Sequence, residues 1–289
     1  MGLRTKFNLV LLIVFSLGLG VTGYISNSLL QQNAQDEVLR NAGIIMEATQ
    51  SMRDYTQNHV TPSLDYQPDT FLPQAVPAFA ATEMMNGLRK KYADYNYKEA
   101  VLNPTNPRDR AVDWEADIIT AFRNDATKKE ISGMRISAGG PSLYLSRPIL
   151  VNEDGCLTCH STADKAPAAM TAKYGSNNGF GWKLNEIIGA QVVSVPMALP
   201  IKNADRAFAT FMASLTGVFV VLFIILNLML SFLIVRPITN MSEAANEIST
   251  GNMEIAEFPD KGSDEMALLA KSFNRMRRSL QKAISLIDE

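Results

Sequence analysis

Two uncharged runs constrain this chain more than anything else in it. From Phe7 to Ile25, and again from Ala207 to Val235, there is no charged residue. Each run is long enough to cross about 30 Å of hydrocarbon as a helix. The alternative is a buried core helix, but uncharged runs of this length are uncommon in small soluble domains. The first run follows Arg4 and Lys6 and so resembles a secretion signal. It is long for a signal core, however, and no clear small-x-small site follows Gly23. Positive residues ahead of the first span hold the N-terminus in the cytoplasm. The expected layout is therefore a cytoplasmic start (1–6), a span (7–25), an outer domain (26–206), a second span (207–235) and a cytoplasmic segment (236–289). This places the outer domain in the periplasm and both termini inside the inner (plasma) membrane. Lys and Arg number 27 against 29 Asp and Glu, a balance that predicts no nucleic-acid partner.

The chain holds two cysteines and two histidines. Three of the four stand together in Cys156-Leu-Thr-Cys159-His160. This is the C-x-x-C-H pattern of c-type haem attachment. Two thiols make thioether bonds to the two vinyl groups of a porphyrin, and the spacing sets them along one ring edge. The adjacent imidazole then donates a nitrogen to the iron. A disulfide is the first alternative, since an outer compartment is oxidising. Half of a zinc site is the second, but there is no second Cys or His pair to complete four ligands. The expectation is one covalent haem c, held by Cys156, Cys159 and His160, on the outer side.

The sixth iron ligand is open at this level. His59, the other histidine, ends an expected helix from Ala34 to Val60, just before Pro62. Its ordinary alternative is a solvated helix-end residue. Met46, Met52, Met84 and Met85 are further candidates, although methionine is more often core filler. A vacant or water-filled position is the third choice.

In the rest of the outer domain, Phe79–Tyr92 and the Trp114, Ile118, Phe122 stripe predict two more helices. A hairpin follows, with Gly133–Ile136 and Leu143–Ile149 flanking the turn Ala138-Gly-Gly-Pro141. Residues 161–181 are rich in Gly, Asn and Ala and predict a loop. Ile188–Val195 predicts a central strand. Helices followed by an antiparallel sheet imply an α+β domain. Arg147 would be an inward charge that a haem propionate can satisfy, or else one partner of an ordinary salt bridge. Trp182 is a candidate cover for the porphyrin, or else a core aromatic.

After Arg236-Pro237 the pattern becomes heptad-like. Ile238, Met241, Ala245 and Ile248 form one seam; Met266, Leu269, Phe273, Met276, Leu280, Ala283 and Ile287 form another. Gly251-Asn252 separates them, and Asp264-Glu265 open the second helix, where negative charge is favoured. Two such helices cannot bury their seams alone, so a parallel homodimer forming a four-helix bundle is expected.

This tail resembles a HAMP domain, the relay module of bacterial transmembrane sensors, over Arg236 to about Ile284. The matching residues are Pro237, Gly251-Asn252, Asp264-Glu265 and Ser272-Phe-Asn-Arg-Met276. The outer domain, over about residues 40 to 200, resembles a bacterial family of haem-binding, PAS-like periplasmic domains of unknown function. That resemblance is carried by Asn103-Pro-Thr-Asn106, Trp114-Glu115, Ser146-Arg-Pro148, Cys156-Leu-Thr-Cys-His160, Tyr174-Gly175, Gly179-Phe-Gly-Trp182 and Ile188-Gly-Ala190. It implies a PAS-like fold with one c-type haem. One soluble relative uses a cysteine as second axial ligand. Here both cysteines serve attachment, so that ligand does not carry over.

The leading functional expectation is a haem-based redox or gas sensor subunit, not itself an enzyme. It would relay its state through the tail to a separate cytoplasmic output protein such as a kinase or cyclase, no output region being visible after the relay. A membrane-anchored electron carrier is the rival; it has no need of a heptad relay beyond the membrane. Catalysis at the haem lacks an acid–base set.

Overall fold

The structure, a computed structural model, describes residues 2–64, 71–137, 139–252 and 254–286. It falls into two compact units, residues 27–207 and residues 1–26 with 208–289.

The first helix, α1 (Leu3–Tyr55), runs unbroken through the stretch where a span and a separate helix were expected. Residues 26–33 contain neither Pro nor Gly, so nothing there ends a helix. Within residues 27–207, α1 buries Ala34, Val38, Ala42, Met46 and Thr49 as one stripe. It then widens into a π-type turn, Thr56–Val60, in which the Thr61 N–H donates to the Thr56 carbonyl. Pro62 follows directly. It has no N–H to continue the i→i−4 ladder, and its ring crowds the carbonyl four residues back.

Helix α2 (Pro77–Arg89) leads to strand β1 (Asn96–Val101). Helix α3 (Asp113–Asn124) precedes the hairpin of β2 (Ile131–Ser137) and β3 (Gly140–Leu150). Two short helices, α4 (Asp154–His160) and α5 (Ala168–Tyr174), precede β4 (Ile187–Pro196). The four strands form one antiparallel sheet in the order β1-β4-β3-β2. The domain is thus α+β, as its pattern implies. The Ala138 end of the expected turn lies outside the described residues.

The sheet is covered on both faces. Tyr97, Leu143, Leu145, Val193 and Val195 face α1 and α2, meeting Val38, Ala42, Met46, Ala81 and Met85. On the other face, Ala100, Ala190 and Val192 meet Ile118, Ile119 and Phe122 of α3. Strand β1 had no strand signature because Lys98 and Glu99 interrupt its apolar pattern. The fold gives each charge a partner. Lys98 binds Glu115 of α3 at 2.6 Å, and Arg53 of α1 binds Glu99 at 2.5 Å. Tyr97 donates its hydroxyl proton to Glu99 at 2.8 Å. Helix α5 sits inside the expected loop; Ala-Ala-Met-Thr-Ala-Lys are mostly good helix formers, and Gly175 stops them.

The second unit is helical. Phe15 of α1 stacks on Phe219 at 4.7 Å, and Gly23 leaves room for Met212. Phe219 and Met212 belong to α6 (Ala198–Met229). A π-type turn, Leu230–Val235, again ends two residues before a proline, Pro237. Then come α7 (Arg236–Ser249) and α8 (Glu265–Ser285). The helices containing α1 and α6 are both long and apolar enough to cross a membrane. Asp264 caps α8 by accepting from the Ala267 N–H at 2.8 Å. Met241, Ala244 and Ile248 of α7, and Ala267, Ala270 and Asn274 of α8, are buried. Asn274 holds the α7–α8 connector: its amide group donates to and accepts from the Phe258 backbone at 2.8 and 3.0 Å. Of the expected seam, Phe273 packs edge-on to Phe258 in its own chain. Leu269 (46%), Met276 (48%) and Leu280 (41%) stay exposed; Ile287 lies outside the described residues.

Candidate cofactor site

The site forms at one end of the sheet. Val101 closes β1, Ile149 and Val151 lie at and just past the end of β3, and Ile188 is the second residue of β4. Val101, Val151 and Ile188 are buried together, with Ile149, Cys156, Leu157 and Trp182 packed on them. This apolar patch seats α4, the helix that carries the attachment motif. Cys156 and Cys159 are three residues apart, hence on one helical face. Both are half-buried and free, not joined in a disulfide. Burial, with Cys156 beside it, pushes the Cys159 thiol up.

His160 ends α4 and is held on two sides. Its Nδ1 lies 2.7 Å from the Gly179 carbonyl oxygen and 3.4 Å from Thr105 Oγ1. A carbonyl only accepts, so Nδ1 carries the proton and Nε2 keeps its lone pair. Burial holds the imidazole below its ordinary pKa, against the Gly179 bond, which raises it. A neutral ring is the form that ligates a metal. On the ring face lies Trp182, centroid to centroid 3.8 Å with 14° between planes.

The loop that carries Gly179 and Trp182 is tied back to α4 by its backbone. The Gly181 N–H donates to the Ser161 carbonyl at 2.9 Å and the Trp182 N–H to the His160 carbonyl at 3.2 Å. Gly179 has φ +85°, and a Cβ there would fall 2.0 Å from Thr105 Oγ1 and 2.8 Å from Thr105 Cα. Only glycine fits this crossing. Thr105 comes from a loop shaped by Asn106, whose side chain accepts from the Arg108 N–H at 3.2 Å. Arg110 joins the same loop to Asn178 at 3.4 Å. Both segments are recognisable in the sequence, but nothing there marks Thr105 or Gly179 as a partner of His160.

The expected site residues divide clearly. Cys156, Cys159, His160 and Trp182 are brought together. Trp182, however, is not placed to cover a porphyrin. An imidazole ligates through a lone pair in its own plane, so a ring stacked flat on it stands edge-on to whatever Nε2 binds. Arg147 shares the sheet face of Leu143 and Leu145, and its charge is met by carboxylates. It pairs with Glu47 of α1 at 2.7 Å and Glu130 at 2.6 Å, so no propionate is required to balance it. Met46 and Met85 are core residues, and Met84 packs against the same core. Met52 is half-buried. His59 is exposed on the π-type turn, 5.5 Å from the Tyr55 ring. The same turn reaches the site through Gln57, which donates to Glu153, the residue preceding α4.

Two thiols on one helical face and a neutral imidazole with a free Nε2 fit the needs of haem c. Among the described residues, no cluster of three or more His, Cys, Asp and Glu side chains offers a metal site of another kind.

Family profiles decide the wider grouping. The Tll0287-like profile matches residues 31–196, more than half of the chain. The chain belongs to the Tll0287-like family. Its tail, residues 229–282, matches the HAMP domain. The solved cyanobacterial heme-protein Tll0287 is 17% identical, with a TM-score of 0.45, over 55% of this chain and 95% of that one. The sensor histidine kinase WalK of Bacillus subtilis is 31% identical over 103 residues. The match spans 36% of this chain and only 16% of WalK.

Proposed function

We propose that this Tll0287-like protein is a transmembrane sensor subunit that carries one covalent haem c in its outer domain. One observation carries the reading: a single chain joins a C-x-x-C-H helix, with its histidine already oriented, to a HAMP domain. The family shares its name with a cyanobacterial heme-protein, which supports the haem half. The Bacillus relative is a sensor kinase, which supports the signalling half. In this reading residues 26–206 face the periplasm of an inner-membrane protein, and the relay lies in the cytoplasm as a homodimer. The relay acts on a separate output protein, such as a kinase or cyclase, and the subunit itself is not an enzyme.

Cys156 and Cys159 would hold the porphyrin edge and His160 Nε2 the iron. The bound group supplies a one-electron centre able to report redox poise or a diatomic gas, as its sixth ligand dictates. The protein supplies the rest. Gly179 fixes the imidazole tautomer, the buried patch of Val101, Val151 and Ile188 excludes water from one side of α4, and Gln57 links α4 to the helix leading out of the domain.

His59 is the proposed sixth ligand, since its turn is tied to α4 through Gln57 and Glu153. His59→Ala should convert a low-spin absorption spectrum into a high-spin one. An unchanged spectrum would exclude it.

The relay is tested at Met276, which is exposed in the single chain and lies on the expected dimer seam. Met276→Asp places a carboxylate in each copy of that seam, where unpaired burial is costly. Haem content and absorption spectrum should match wild type, while stimulus-dependent activity of the output partner is lost. Normal signalling from this variant would refute the relay and return the protein to the electron-carrier reading.

A further inference from the structure

We infer that Trp182 is a positioning residue for the haem iron, acting through His160, and that the stack sets the reduction potential of the centre. The inference rests on the haem reading above but goes beyond it. Three contacts hold one imidazole. The Gly179 carbonyl takes the Nδ1 proton at 2.7 Å, the Thr105 hydroxyl stands 3.4 Å from the same nitrogen, and Trp182 lies flat on the ring at 3.8 Å. The first contact sets which nitrogen is free. It does not by itself stop the ring from turning about the Cβ–Cγ bond. The indole does, because rotation would drive the imidazole edge into its face. Trp182 is itself held, its backbone by the main-chain N–H donated to the His160 carbonyl and its side chain by packing on the buried patch of Val101, Val151 and Ile188.

The electronic consequence follows from the hydrogen bond that the stack maintains. An imidazole that donates its Nδ1 proton to a carbonyl is the more basic ligand, and a more basic ligand favours the ferric state. A shorter bond therefore means a lower potential. With the indole removed the ring can turn away from Gly179, the bond lengthens and the potential rises. Trp182 lies outside the two clusters that flank the sheet and touches only the small third cluster of Val101, Val151 and Ile188.

The test compares full-length wild type with Trp182→Phe and Trp182→Leu in detergent, measuring covalent haem per chain and midpoint potential by spectroelectrochemistry. In Trp182→Leu the potential should rise by about 59 mV, a ten-fold shift in the ferric-to-ferrous ratio at a fixed poise. Trp182→Phe, which keeps a smaller ring on the imidazole, should shift in the same direction by less. Wild-type potentials in both variants at full haem content would overturn the inference. If Trp182→Leu fails to acquire haem, the decision falls to Trp182→Phe, and an unmoved potential there overturns it equally. Haem missing from the wild-type protein would instead refute the haem reading, so the two failures are distinct.

Discussion

Replacing Cys156 and Cys159 together with alanine should abolish haem-dependent peroxidase staining at the monomer mass on a denaturing gel. Wild type, produced with the maturation machinery present, should show a strong band. This is the largest effect expected, because no other cysteine in the chain can form a thioether. The domain itself should survive. Neither cysteine belongs to the two buried clusters on the faces of the sheet, and only Cys156 touches the third. Thermal unfolding of the haem-free variant should therefore match haem-free wild type within a few degrees, by tryptophan emission. Both tryptophans, Trp114 and Trp182, lie in the unit of residues 27–207, so this signal reports on that unit alone. A wild-type chain without the stained band would sink the haem assignment.

The second large effect is expected at Gly179. Alanine there must adopt φ +85° and place a methyl group against the backbone of Thr105. Backbone strain and overpacking together cost about 2–5 kcal/mol. For a domain of this size that lowers the melting temperature by about 10 °C. The loop must also retreat from His160, so haem loading should fall with it. Gly181 is the control. Its φ is +81°, but nothing lies within 4 Å of a methyl group placed on it, so Gly181→Ala carries only the dihedral cost of about 1–2 kcal/mol. Equal melting temperatures for the two variants would show that the Thr105 crossing is not a tight contact.

The two long apolar helices, the hairpin, the central strand and the capped relay helix were all legible, because each rests on local periodicity or a local stop signal. The grouping of Cys156, Cys159 and His160 on one short helix was legible because their spacing is local. What sequence could not reveal depends on distant partners. Lys98 and Glu99 argued against a strand until Glu115 and Arg53 stood opposite them. Arg147 looked like a charge in need of a ligand until Glu47, 100 positions away, was found beside it. Thr105 and Gly179 flank one imidazole nitrogen from two loops far apart in the chain, and nothing local marks either residue for that role. Asn274 had no visible task in its motif until the connector folded onto it.

The π-type turn Leu230–Val235 bears on how parts of this protein can be exchanged with others. One turn of that kind holds an extra residue relative to an α-helix, which rotates everything after it by about 100°. The face that α7 presents is therefore offset from the one a straight continuation of α6 would give. A chimera spliced ahead of Leu230 onto a relay that lacks the widened turn inherits the wrong angular phase. Removing one residue between Leu230 and Val235 should leave a continuous helix, yet turn α7 and α8 together by about 100° relative to α6. Domain swaps should accordingly work when the junction lies after Pro237, where the offset travels with the donor segment, and fail when it lies before.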